Sequence, residues 1–85
     1  MHSVYILKSV KDSNLYIGAT SNLKKRLAAH HHGEVFATKS RLPVKLVYCE
    51  IYCDRRDAFK REKMLKYNGQ GLRRLKERLF YGLSI

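Results

Sequence analysis

The sequence has no apolar run approaching the ~20 residues that a membrane-spanning helix needs, which excludes a helical membrane protein. It opens Met1-His2-Ser3-Val4-Tyr5 without a basic start, and the apolar run that follows ends at Lys8, so the pattern of a secretory leader is missing. Cysteine is scarce. Cys49 and Cys53 stand at i, i+4 in a predicted strand, about 13 Å apart on one face at ~3.3 Å per residue. A disulfide tolerates a Cα separation of at most ~7 Å. The expectation is therefore two reduced, semi-buried thiols in a cytoplasmic protein rather than a disulfide scaffold. Acidic residues are few as well, seven Asp and Glu against 18 Lys and Arg, for a net charge of +11. So large an excess on a small surface favours a polyanionic partner, because each phosphate neutralised releases condensed counterions. Internal repeats and low-complexity tracts are absent.

What is present is enough for one folded unit. The 85 residues are 45% hydrophobic and 11% aromatic. They allow a single domain, residues 1–85, with one modest core, since a chain of this size buries only roughly 60% of its unfolded surface. Ser3 to Ser9 is rich in Val, Tyr, Ile and Leu. Val10 to Asn14 carries turn residues and Leu15 to Gly18 is apolar again, which reads as a β-hairpin. Ser21 or Asn22 can cap a helix over Asn22 to His32, and Gly33 is a natural stop. Gly33 to Leu42 shows no sustained period and is read as a loop. Val44 to Cys53 alternates and predicts a third strand. Asp54 opens a helix to Tyr67, Asn68 to Gly71 breaks the pattern, and Leu72 to Phe80 forms a last helix. The order β-β-α-β-α-α implies an α+β fold, a three-stranded antiparallel sheet flanked by helices.

Several residues stand out chemically. At about 100° per residue, Glu62 falls between Ala58, Phe59 and Leu65 on the stripe expected to face the sheet. A carboxylate there must be paired or coordinate a metal. The alternatives are a cation ligand or a salt bridge to Arg26 or a nearby Lys. Arg26 and His30, at i, i+4, share a helix face on which they could hold a phosphate and move a proton; as surface residues they would simply be solvated. Tyr5 and Tyr16 lie on the two hairpin strands, where their rings could meet, in ordinary core packing or in chemistry. Consecutive His30, His31 and His32 point about 100° apart and cannot all reach one ion, so a zinc site is not expected, and His31 and His32 read as helix-end groups.

The order and spacing of these residues carry more than each alone. Ser3-Val4-Tyr5, Tyr16-Ile17-Gly18, Arg26, His30 and Glu62, together with Asn22 to Arg26 and Arg61-Glu62 followed by Leu65-Lys66, resemble the GIY-YIG nuclease signature from Ser3 to about Lys66. The second motif matches letter for letter; the first keeps only its tyrosine. The resemblance implies the same α+β fold and an endonuclease that hydrolyses phosphodiester bonds, with little intrinsic sequence specificity, in DNA repair or processing. It implies roles too. Tyr16 would position or deprotonate the attacking water, Tyr5 would support that water and the phosphate, and Arg26 would stabilise the transition state. His30 would assist proton transfer, and Glu62 would bind one Mg²⁺ (or Mn²⁺) ion. Lys24, Lys25, Lys39, Arg41, Arg61 and Lys66 are the expected nucleic-acid contacts, with DNA ahead of RNA as partner. No sequence-reading element is recognisable, so a protein partner could supply specificity. Some members carry a lysine after Tyr-Ile-Gly and an asparagine beyond the metal glutamate, where this sequence has Ala19 and Asn68. The alternative is a non-catalytic basic nucleic-acid-binding module on the same scaffold.

Overall fold

In the computed structural model, which describes residues 1–67 and 69–84, the first strand of the chain is the middle strand of the sheet. β1 (His2–Ser9) pairs antiparallel with β2 (Leu15–Thr20) on one side and with β3 (Val44–Tyr52) on the other, in the order β2-β1-β3. This position explains why Val4 to Leu7 are continuously buried rather than alternating: both faces of β1 are covered.

The hairpin turn is held by local polar chemistry. The buried Ser9 Oγ accepts from the backbone N–H groups of Lys11 and Asp12, Asp12 Oδ1 accepts from Asn14 N–H, and Ser13 takes up a φ of 62°.

α1 (Leu23–His31) begins where Asn22 Oδ1 accepts from Lys25 N–H at 3.0 Å, and ends before Gly33, whose φ is +73°. Inside the segment expected to be a loop lies α2 (Phe36–Lys39), a four-residue turn of helix too short to show periodicity. The observed order is thus β-β-α-α-β, followed by α3 (Arg55–Tyr67), α4 (Gly69–Arg78) and a 3₁₀ turn at Gly82–Ser84. Asp54 accepts from Arg56 N–H at 2.8 Å at the start of α3, as its capping role requires. α4 starts ahead of the expected Leu72. Packing outweighs the low helix propensity of its glycines: a Cβ at Gly71 would sit 3.2 Å from Met64 Cγ, so its absence lets α4 close onto α3. Asn68 lies outside the described residues.

Two cores result, one on each face of the sheet. On one, Val4, Ile6 and Ile17 pack against Ala58, Leu65 and Leu75 of α3 and α4. Truncating Leu65, 1% exposed, to Ala would cost about 2–5 kcal/mol. On the other, Tyr5, Leu7 and Val44 pack with Tyr16, Leu23, Leu27 and Leu42 under α1. A bulge interrupts the β1–β3 register, with Tyr48 paired to Ile6 but Leu46 to Leu7.

Two expectations need correction. Cys49 and Cys53 are exposed, not semi-buried. The α1-side core reaches β3 only at Val44, so the far end of this edge strand, including Ile51 at 62% exposure, is left open. Phe59, expected on the buried stripe of α3, is 44% exposed and lies beneath the Arg55 guanidinium at 5.3 Å. Among the described residues no helix is long and apolar enough to cross a membrane.

Candidate active site

The β1–β2 register decides which hairpin residues share a surface. Tyr5 pairs with Gly18 and Leu7 with Tyr16, so Tyr5 and Tyr16 are diagonal neighbours on the face covered by α1, with ring centroids 6.2 Å apart. α1 presents His30 edge-on to both rings, 5.7 Å from Tyr5 and 5.0 Å from Tyr16 between centroids. His30 Nε2 and the Tyr5 hydroxyl are 2.9 Å apart, and on the other side of the ring His30 Nδ1 lies 2.7 Å from Thr38 Oγ1. Tyr5, His30 and Thr38 are each 0% exposed, whereas Tyr16 is only partly covered. Tyr16 is thus the phenol that solvent can reach.

Arg26, one helical turn before His30, stands beside both phenols, which hold its guanidinium firmly charged, Tyr5 above all. Burial pushes the Tyr5 hydroxyl up to about 12 against the pull of Arg26, so Tyr5 is a neutral phenol at ordinary pH. Burial also lowers the His30 pKa, and the charges of Arg26 and His31 add to this, so the imidazole is neutral.

Glu62 approaches from the other layer. It is partly buried on α3, its carboxylate 3.3 Å from Lys66 Nζ at i, i+4. Lys66 Nζ also stands 6.0 Å from the centre of the Tyr16 ring. The salt bridge to a nearby Lys, one of the two readings for Glu62, is therefore formed, and the same Lys links Glu62 to the tyrosine face.

The expected nucleic-acid contacts divide into two sets. Lys24, Lys25 and Lys39 are exposed, and Lys25 joins Arg26, Asn22 and Thr20 in lining a groove beside the start of α1. Arg41 pairs with Asp12 at 3.3 Å and Lys66 with Glu62. Arg61 stands apart from the tyrosine face altogether. It forks onto Glu50, with Nε at 2.9 Å from Oε1 and Nη2 at 3.0 Å from Oε2, while the Tyr48 and Tyr52 hydroxyls each donate to the same carboxylate at 2.6 Å. Burial alone would raise the Glu50 carboxyl, but these donors outweigh it and hold it below the usual carboxylate range.

Three residues of consequence escaped the sequence reading. Thr38 sits on the unrecognised α2, and only its place among small and polar neighbours hinted at nothing in particular. Glu50 alternates with Tyr48 and Tyr52 at i, i+2, a period that puts all three on one strand face and could have been noticed. Gly18 was read as motif lettering; its reason is steric, for a Cβ there would lie 2.5 Å from both Cζ and the hydroxyl oxygen of Tyr5.

Comparison with known proteins agrees with this geometry. Residues 1–76 match the GIY-YIG catalytic domain family. The chain is 49% identical to a UPF0213 protein of Clostridium perfringens over 67 residues, 78% of this chain and 71% of the relative. It is 44% identical to a UPF0213 protein of Staphylococcus haemolyticus over 66 residues, 76% of this chain and 79% of that one. A UPF0213 protein of Bacillus licheniformis is 42% identical over 66 residues, 76% of this chain and 67% of the relative. No solved structure matches. The matched span takes in every element from β1 nearly to the end of α4, and the chain belongs to the GIY-YIG catalytic domain family.

Proposed function

We propose that this protein is a metal-dependent endonuclease that hydrolyses nucleic-acid phosphodiester bonds, with DNA ahead of RNA as substrate, in repair or processing. The observation that supports the reading most is the convergence of Tyr5, Tyr16, Arg26 and His30 on one face, with Glu62 joined to that face through Lys66.

Each group has a part its surroundings allow. Tyr16, the accessible phenol, orients the attacking water. Arg26, fixed beside both phenols, stabilises the charge that develops on the phosphate. Tyr5 and His30, both neutral and hydrogen-bonded, receive and hold a proton from the attacking side.

Among the described residues no three His, Cys, Asp or Glu side chains gather into a cage. A single partly exposed carboxylate suits Mg²⁺ or Mn²⁺, hard ions that keep most of their waters and take further oxygens from a substrate phosphate. Glu62 would hold the ion, with Lys66 competing for the same oxygens. When bound, such an ion supplies positive charge to the scissile phosphate and its leaving oxygen. Lys24, Lys25 and Lys39 follow the phosphate backbone, with Arg41 and Lys66 at its margin; Arg61 is committed to Glu50. Little intrinsic sequence specificity is expected, so nucleic-acid structure or a protein partner would direct the cut.

The test is cleavage of nicked, branched, single-stranded and duplex DNA, and of the RNA counterparts, with Mg²⁺ or Mn²⁺ and with chelator. No cutting of any substrate would overturn the enzyme reading. The Glu62–Lys66 ion pair favours one alternative, a non-catalytic nucleic-acid-binding module in which Lys66 is the permanent partner of Glu62. That module would bind in a salt-sensitive way and be indifferent to divalent metal.

A further inference from the structure

A pocket of about 260 Å³ lies between α3 and α4 and shares no residue with the tyrosine face. Its size falls below the ~300 Å³ at which sites for drug-sized ligands begin, so it suits a small group rather than a whole cofactor. Arg61, Arg74 and Arg78 line it with Met64, Gly71 and Leu75, and no carboxylate is among them. Arg61 enters already oriented. Its Nε and Nη2 grip Glu50, which also accepts from Tyr48 and Tyr52, while Nη1 is 3.4 Å from the Met64 sulfur. A thioether is a weak acceptor, so the Nη1 donors stay open to a ligand oxygen. Arg74 and Arg78 stand one turn apart on α4, where like charges repel. Among the described residues neither side chain has an ion pair or hydrogen bond, although Glu77 lies on the same helix. Arg78, in the last turn, gains from the helix dipole, and Arg74, further back, does not. An anion seated between them would relieve the repulsion.

We propose that this pocket is a second anion site, separate from the candidate active site, that binds a phosphate monoester between Arg74, Arg78 and the Nη1 donors of Arg61. Guanidinium forks match phosphate oxygens in shape and charge. The charge balance selects the monoester. Glu50 cancels Arg61, which leaves the two charges of Arg74 and Arg78. A terminal phosphate carries close to two negative charges at neutral pH, whereas a backbone diester carries one. Met64 and Leu75 supply apolar walls, against which the group that bears the phosphate can rest. A phosphorylated nucleic-acid strand end and a small phosphorylated molecule both present this chemistry. The site does not rest on the nuclease reading, because no residue of the tyrosine face takes part.

The test is a titration of the full chain with inorganic phosphate at about pH 8, where the phosphate is a dianion, against chloride at matched ionic strength and with chelator present. Proton–nitrogen NMR of the backbone and the arginine side chains reads the site. The expected result is saturable shifts at Gly71, Arg61, Arg74 and Arg78 with phosphate and not with chloride. Joint replacement Arg74→Gln and Arg78→Gln should weaken binding on the order of 10- to 100-fold, since two charged donors are lost. Lys24→Ala with Lys25→Ala, at the other groove, should leave it unchanged. Both Gln positions are exposed, and unshifted signals elsewhere verify the fold. A second arm uses one short DNA strand with a 5′-phosphate or a 5′-hydroxyl. Tighter binding of the phosphorylated strand, lost in the Gln variant, identifies a strand end as the source. Equal binding of both strands away from the pocket, with inorganic phosphate still bound there, identifies a small molecule. Chloride-like behaviour of phosphate, equal affinity in the Gln variant, or equal occupation of the pocket by both strands overturns the proposal. Whether any substrate is cut has no bearing on these outcomes, so the site and the nuclease reading stand or fall apart.

Discussion

The Tyr5 ring occupies the space in which any side chain at Gly18 would stand. The two residues are register partners across β1 and β2, and a Cβ on Gly18 would meet the Tyr5 ring and hydroxyl at 2.5 Å. Because Tyr5 is wholly buried and tied to His30, the ring cannot swing aside without breaking that bond. Gly18→Ala should therefore destabilise the fold by about 1–3 kcal/mol, the usual cost of overpacking a core. For a domain of this size that is a fall in Tm of roughly 4–8 °C per kcal/mol. Gly71→Ala meets a flexible Met64 side chain instead and gains helix propensity, so it should stay within about 1 kcal/mol of the wild type. Thermal unfolding of the two variants side by side checks the contrast.

Glu62→Gln and Tyr16→Phe should each reduce single-turnover cleavage by on the order of 10²–10³-fold, the loss that follows removal of one group that acts in the transition state. Nucleic-acid affinity should change only a few-fold, since neither residue supplies the basic surface. Arg26→Lys should also cut poorly. A lysine keeps the charge but loses the planar fork that can serve both phenols and a phosphate at once. Variants that weaken binding as much as cleavage would argue for a binding module.

Acid should loosen the fold in two steps. The His30 pKa is lowered by folding, so below the ordinary value near 6.5 the unfolded chain takes up a proton that the native state refuses, and stability falls with pH over that window. Glu50, also lowered from 4.5, contributes stability that is present above that value and is lost as pH falls through its folded pKa. Replacing Glu50 by Gln should shrink the lower step, to which Asp12 and Asp54 also contribute, and leave the upper one. Denaturant unfolding between pH 3 and 8, on the order of one unit apart, would resolve them.

At the alkaline end, Tyr5, Tyr48 and Tyr52 are all pushed up to about 12, by burial first in each case and for the β3 pair by Glu50 next. The unfolded chain then loses phenolic protons that the folded one keeps, and stability declines as pH rises from 10 towards 12. Ultraviolet titration of native protein should show these three of the six tyrosines ionising late.

Binding should weaken linearly in log–log fashion with salt. Each of Lys24→Ala, Lys25→Ala and Lys39→Ala should reduce the slope by ~1 if it contacts one phosphate. Arg61→Ala should behave differently, lowering thermal stability because it strands Glu50, with little change in slope. Titrations at several salt concentrations separate the two classes.

The three strands, the caps at Asn22 and Asp54 and the stop at Gly33 were legible because each rests on local chemistry that sequence displays directly: alternation, a short polar side chain, a residue tolerant of positive φ. Spacing put Arg26 and His30 on one helix face and Tyr5 and Tyr16 on facing strands, but that the two pairs belong to one site was implied only by the resemblance to the family signature. What escaped depends on contacts between distant segments. The helix at Phe36–Lys39 has one turn, too short to reveal a period, yet it delivers Thr38 to His30. The early start of α4 depends on Met64 lying across Gly71, and the exposure of Cys49 on how little of β3 the α1-side core covers. Arg61 and Glu62, adjacent in sequence, look to different flanks of α3, one to Glu50 and the other to the Lys66 beside Tyr16, which a list of basic residues does not separate.

The central place of β1 also bears on how the chain assembles. Its hairpin partner follows within a few residues, but β3 begins only at Val44, after both short helices. A ribosome therefore exposes the most deeply buried strand of the protein long before it releases the segment that seals its second edge. Until then Val4 to Leu7 offer an unpaired backbone to any neighbour. Refolding yield should fall with protein concentration, and substitutions that weaken the β1–β3 pairing should slow refolding.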